Sequence, residues 1–161
     1  MIMNMKKRNV IELNSILNKL KDFGGTKFKY GVLRNINALK NHIKALEKLE
    51  SDIKLLVSEF EEDKNQLIIN LGKPDEKGGI YIDQNDKDVM EEFNSEFSKL
   101  LEKHKESIEN YNTEVTEYQE ILEEEVEDEI KFRKININEC PEDGITFSEL
   151  EKLSEFEIIS E

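Results

Sequence analysis

Two runs of apolar residues repeat at heptad spacing, and they limit this chain more than any other feature. In the first, Ile36, Leu39, Ile43, Leu46, Ile53, Val57, Phe60 and Leu67 recur at steps of three, four and seven, with Glu50 and Lys64 as polar interruptions. In the second, Phe97, Leu101, His104, Ile108, Tyr111, Val115, Tyr118 and Leu122 alternate steps of four and three without a slip. Such spacing places one apolar seam along each of two long helices. Between them lies a connection rich in turn formers, Gly72-Lys73-Pro74-Asp75-Glu76-Lys77-Gly78-Gly79. The sequence therefore predicts a mainly α fold built on a long antiparallel helical hairpin, a coiled coil.

The rest of the chain attaches to that hairpin. A first helix carries Val10, Leu13, Leu17 and Leu20 on one stripe, with Asn9 as its N-cap and Gly24-Gly25 at its end. It reads as a docking helix over residues 1–25. Thr26 caps the first long helix, 26–67, in which Gly31 weakens the start. Leu67-Ile68-Ile69-Asn70-Leu71 and Ile80-Tyr81-Ile82 are β-prone and predict a small β-hairpin at the tip, 68–85. Asp86 caps the second long helix, 86–127. Ile130 to Ile137 alternates apolar and polar residues like a strand, and Thr146-Phe147-Ser148-Glu149 has capping-box spacing for a short last helix within 128–161. The whole reads as a single elongated domain, 1–161. If the tip turns the chain symmetrically, Glu50 falls near His104, and the two would either form a buried or half-buried pair that fixes the register or each turn outward separately.

Charge is segregated. The formal net charge is −14. Residues 1–30 hold seven Lys or Arg against two carboxylates, whereas residues 86–129 hold seventeen carboxylates against four lysines. A phosphate binder needs the opposite sign, so direct nucleic-acid binding is not expected and partners should be proteins with basic surfaces. The acidic run Glu123, Glu124, Glu125, Glu127, Asp128 and Glu129 closes a helix, where the macrodipole disfavours it, so local helix stability does not account for it. One reading is a solvated face that prevents self-association; the other is a docking face. The basic first thirty residues could also neutralise part of it internally.

Chemistry is sparse. His42 and His104 are the only histidines, too few for a zinc site within one chain. Cys140 has no neighbouring His to activate it and no partner for a disulfide. Asp83, Asn85, Asp86 and Asp88 lack the central Gly and the closing Glu of a calcium loop, and helix capping by Asp86 explains them more simply. Paired carboxylates on an exposed helix have no cleft to separate their pKa values. No catalytic, metal or cofactor set is expected, and the chain reads as a non-enzyme. The first residues are polar and basic with no secretory segment after them, and no run approaches about 18 apolar residues, so a cytoplasmic protein with no membrane span is expected.

The segments Tyr30-Gly31-Val32-Leu33-Arg34-Asn35 and Glu92-Phe93-Asn94-Ser95-Glu96-Phe97, in this order of elements, give a resemblance to small proteins of tailed phages and prophages of low-GC Gram-positive bacteria. The second arm here is longer and more acidic than that pattern. The resemblance implies phage origin and action in the host bacterial cell, without assigning an activity. The expectation is a non-enzymatic, phage-encoded protein-binding protein, an inhibitor of a host defence system of the anti-CRISPR kind, acting through an acidic helical arm. Its contact residues would be Glu106, Glu109, Glu117, Glu120, Glu123 and Glu124, with Tyr81 at the tip as another anchor. The alternative is a virion-assembly or chaperone-like coiled-coil factor, a homo-oligomer joined at the tip.

Overall fold

Val10, Leu13, Leu17 and Leu20 recur at helical spacing, and the chain buries all four completely. The computed structural model describes residues 4–161. It is mainly helical, with six α-helices and two two-stranded sheets among those residues. In order these are α1 (Lys7–Leu20), α2 (Thr26–Leu55), α3 (Ser58–Leu71), β1 (Lys73–Pro74), β2 (Ile80–Tyr81), α4 (Lys87–Lys103), α5 (Lys105–Glu123), β3 (Ile135–Asn136), a 3-10 turn (Ile137–Glu139), α6 (Phe147–Glu155) and β4 (Ile159–Ser160). Two compact units result. One joins the chain as far as Lys48 to Tyr118–Glu161; the other is Leu49–Glu117.

The first unit holds the dry core. The α1 stripe packs with Phe28, Val32 and Leu39 of α2, and with Ile135, Leu153, Phe156, Ile158 and Ile159 from the last third of the chain. Each such side chain contributes about 1.5–3 kcal/mol on leaving water. The tail returns because β3 pairs with β4 in parallel, Ile135 opposite Ile159, and because α2 is cut to receive it. A Cβ on Gly31 would lie 2.6 Å from Ile135 Cγ1, so the glycine that weakens the helix is the socket for that isoleucine. One turn on, fully buried Asn35 accepts the Arg133 N–H through Oδ1 at 2.7 Å and donates from Nδ2 to the Arg133 carbonyl at 2.9 Å. A side-chain amide thus serves Arg133 as a neighbouring strand would. The Arg133 guanidinium lies 5.0 Å from the centre of the Tyr30 ring.

Several expectations need correction here. The strand expected over Ile130–Ile137 is paired only at Ile135–Asn136, because the one backbone neighbour, β4, is two residues long. Asn9 is not the N-cap of α1. Lys6 holds that place, and Asn9 Oδ1 reaches back to the Lys6 N–H at 2.9 Å. The Thr146–Glu149 box is formed as read: Thr146 Oγ1 accepts from the Glu149 N–H, and Glu149 Oε2 from the Thr146 N–H.

In the second unit both expected long helices are interrupted. The first breaks at Leu56–Val57, where the N–H groups of Leu56 and Val57 bond three residues back instead of four. The second is interrupted at His104, whose φ of −104° and ψ of 16° fall outside helical values. Neither break has a Gly or Pro to announce it. The expected strand at Leu67–Leu71 is helix, since the ladder runs on until the Gly72 N–H bonds to the Ile68 carbonyl. The β-preference of two isoleucines is overridden by that ladder. The β-hairpin is accordingly smaller, Lys73 opposite Tyr81 and Pro74 opposite Ile80, closed by a turn in which Asp75 Oδ1 accepts from the Lys77 and Gly79 N–H groups. Asp86 caps α4 as expected, accepting from the Val89 N–H at 3.2 Å.

Candidate functional site

At about 100° per residue, Glu106, Glu109 and Glu117 project from α5 within an arc of about 80°. All three are exposed, and no cation lies against any of them among the described residues. Glu106 also sits in the first turn of α5, where the macrodipole favours a carboxylate. Glu120, further along α5 in the first unit, is exposed as well.

Glu123 and Glu124 differ. Lys6 Nζ meets Glu123 Oε2 at 2.8 Å, Arg8 pairs with the same carboxylate, and Lys7 Nζ meets Glu124 Oε2 at 2.6 Å. The backbone reinforces this clasp. Residues 5–7 pair antiparallel with 124–126, with the Lys7 N–H donating to the Glu124 carbonyl at 2.9 Å and the Val126 N–H to the Met5 carbonyl at 2.8 Å. Internal neutralisation, one of the options left by the sequence, is thus present at the helix end, and within α5 itself the carboxylates with no cation against them among the described residues lie earlier.

The expected Glu50–His104 pair does not form. Glu50 accepts from Lys54 one turn on, at 2.8 Å. His104 is buried at 6% exposure, with Nε2 2.7 Å from Asp63 Oδ2, which also receives Lys103 Nζ at 2.7 Å. The Lys103 ammonium, and then His104, hold the Asp63 carboxyl below the usual carboxylate range, and Lys103 is raised in return. Phe60 lies edge-on to His104 at 5.7 Å and 6.2 Å from Phe97, which stacks on Phe93 at 5.6 Å. The observed register departs from the expected one: α3 ends at Leu71, four residues beyond the predicted 67, and the two breaks interrupt the heptad count. Sequence reasoning missed Asp63 and Lys103. Phe93 had a signal, an aromatic residue one helical turn before Phe97.

Tyr81 lies on β2 with 48% of its surface exposed, beside Ile80 at 44%. Lys73 Nζ and the Asn85 N–H occupy the Asp83 carboxylate, and no group of His, Cys, Asp and Glu among the described residues could hold a metal ion. Burial, followed by Glu139, raises the Cys140 thiol, which disfavours the nucleophilic thiolate. No helix among the described residues is long and apolar enough to cross a membrane. Comparison of the chain with family models, curated proteins and solved structures gave no significant match.

Proposed function

We propose that this chain is a non-enzymatic protein-binding protein that applies the carboxylate face of α5 to a basic surface on its partner. The observation that carries the reading is a contrast within one acidic region. Glu123 and Glu124 are neutralised by Lys6, Lys7 and Arg8, while Glu106, Glu109 and Glu117 stand exposed on one arc with no cation against them among the described residues. Fixed negative charge spaced along a rigid helix resembles the phosphates that a nucleic-acid groove attracts. On that basis the function is phage-encoded inhibition of a host defence system by occupying such a groove, in the manner of an anti-CRISPR protein in the bacterial cytoplasm. The coiled-coil character of the helical arm belongs to the same reading, supported by α3 packing on α4 and by the burial of Leu39, Leu46 and Ile53 from one heptad stripe.

The test is capture of a host protein by the intact chain, compared at about 0.05 M and about 0.5 M salt, where the screening length shrinks several-fold. Capture should be lost at high salt and by joint Glu106→Lys, Glu109→Lys, Glu117→Lys and Glu120→Lys substitution with helicity retained. Capture that survives both would exclude the acidic face.

A second reading rests on a different observation. Ile69, Ile80 and Tyr81 are exposed where α3 packs on β2, which suits a virion-assembly or chaperone-like factor that associates through the tip. Light scattering would then show an oligomer that Tyr81→Ser dissociates.

A further inference from the structure

The acidic run does not end with α5, and the remainder of it borders a groove of about 760 Å³ in the first unit. That volume is in the range of clefts that hold ligands. Its apolar surface comes from Met5, Val126, Ile130, Phe132 and Phe156, and its carboxylates include Asp128 and Glu129, neither of which has a cation against it among the described residues. Of the two lysines in the lining, Lys134 is turned to Glu157 at 3.6 Å and Lys131 is the other, while the lining carboxylate Glu155 is held by Lys152 at 3.2 Å.

A backbone edge runs beside the groove. Arg133 spends its N–H and carbonyl on Asn35, and Ile135 donates its N–H to the Ile158 carbonyl at 2.7 Å. These two residues are an even step apart, as on one side of a strand. The alternate residues Ile130, Phe132 and Lys134, all lining the groove, have no backbone hydrogen bond among the described residues. Backbone with unspent N–H and C=O groups can receive an added strand, in which the backbone supplies affinity and the flanking side chains supply selectivity.

We propose that this groove binds an extended segment of a partner protein in which Lys or Arg alternates with an aliphatic residue. The segment pairs with residues 130–134, its aliphatic side chains meet Ile130, Phe132 and Phe156, and its cations meet Asp128 and Glu129. The groove shares no residue with the α5 face, and each can fail without the other.

The probe is a labelled heptapeptide of alternating Lys and Val, titrated into the full chain by fluorescence anisotropy, with amide exchange followed by NMR. Saturable binding should slow exchange at Phe132 and Lys134. Joint Asp128→Asn and Glu129→Gln substitution, on the surface and with circular dichroism unchanged, should weaken binding about tenfold. Lys134→Pro removes one N–H of the edge and should abolish protection at Phe132. Joint Glu106→Gln and Glu109→Gln should shift the affinity less than about twofold, since neither residue lines the groove. Equal binding of an alternating Lys-Gly peptide, or affinity unmoved by both the 128/129 and the 134 substitutions, would overturn the proposal. So would self-association of the chain that Lys134→Pro abolishes, since the edge would then belong to a second copy.

Discussion

The two compact units are held together in different ways. Among the described residues, the unit containing α1 owns every fully buried large side chain, from Phe28 and the α1 leucines to Ile135, Leu153 and Ile158, and it seals one polar residue, Asn35, among them. The unit of Leu49–Glu117 buries only Ile53 and His104, and relies on half-buried rings and on charge pairs around Asp63. The longer heptad pattern therefore belongs partly to the less buried unit. A seam in the sequence reports which side of a helix is covered, and how deeply it is covered depends on what packs there.

The largest expected effect lies in the dry core. Leu17→Ala should remove about 2–5 kcal/mol in urea denaturation, as a buried leucine truncated to a cavity does. Phe97→Ala, on a half-buried ring, should remove less; equal losses would break the comparison. Next comes the polar clasp. Asn35→Ala strands the Arg133 N–H and carbonyl in a closed site and should lower stability by about 1–3 kcal/mol.

A smaller change should run the other way. Glu157 follows α6 with φ of +55°, a left-handed position that favours glycine, and the Ile158 N–H reaches back to the Leu153 carbonyl. Glu157→Gly should raise stability by about 0.5–1 kcal/mol, since glycine adopts that backbone without a steric penalty. Its gain is measurable as a higher urea midpoint.

The mildest effect concerns acid. Asp63 in one unit and Glu149 in the other are both held below their ordinary carboxyl range, Asp63 mainly by Lys103 and Glu149 mainly by Lys19. A carboxyl depressed in the folded state contributes stability that is present above its unfolded value, about 4, and is lost as pH falls through the folded value. The melting temperature should therefore decline below about pH 4, and Asp63→Asn should flatten part of that decline. A melting temperature that rises on acidification would contradict the assignment.

What could be read from the sequence was local. The α1 stripe, the Asp86 cap and the Thr146–Glu149 box each depend on residues within a few positions of one another, and each is formed. The carboxylate arc on α5 follows from helical spacing alone, and the basic start of the chain hinted at the clasp on Glu123 and Glu124. Long-range relations were not accessible. Asn35 and Arg133 lie 98 positions apart, and nothing in either predicts that an amide side chain will substitute for a strand. The Asp63–His104 contact depended on where the chain turns and on two helix breaks that no Gly or Pro marks. Gly31 illustrates the boundary: its cost to α2 was plain, and its purpose required knowing that Ile135 returns to it.

Native-state hydrogen exchange followed residue by residue tests the contrast between the units most directly. Amides of Leu13 to Leu20 in α1 should exchange only through global unfolding, with the full denaturant dependence. Those of α3 and α4 should exchange through a smaller opening at lower free energy. If α3 and α4 prove as protected as α1, or more so, the dry core around α1 is not what holds this protein together.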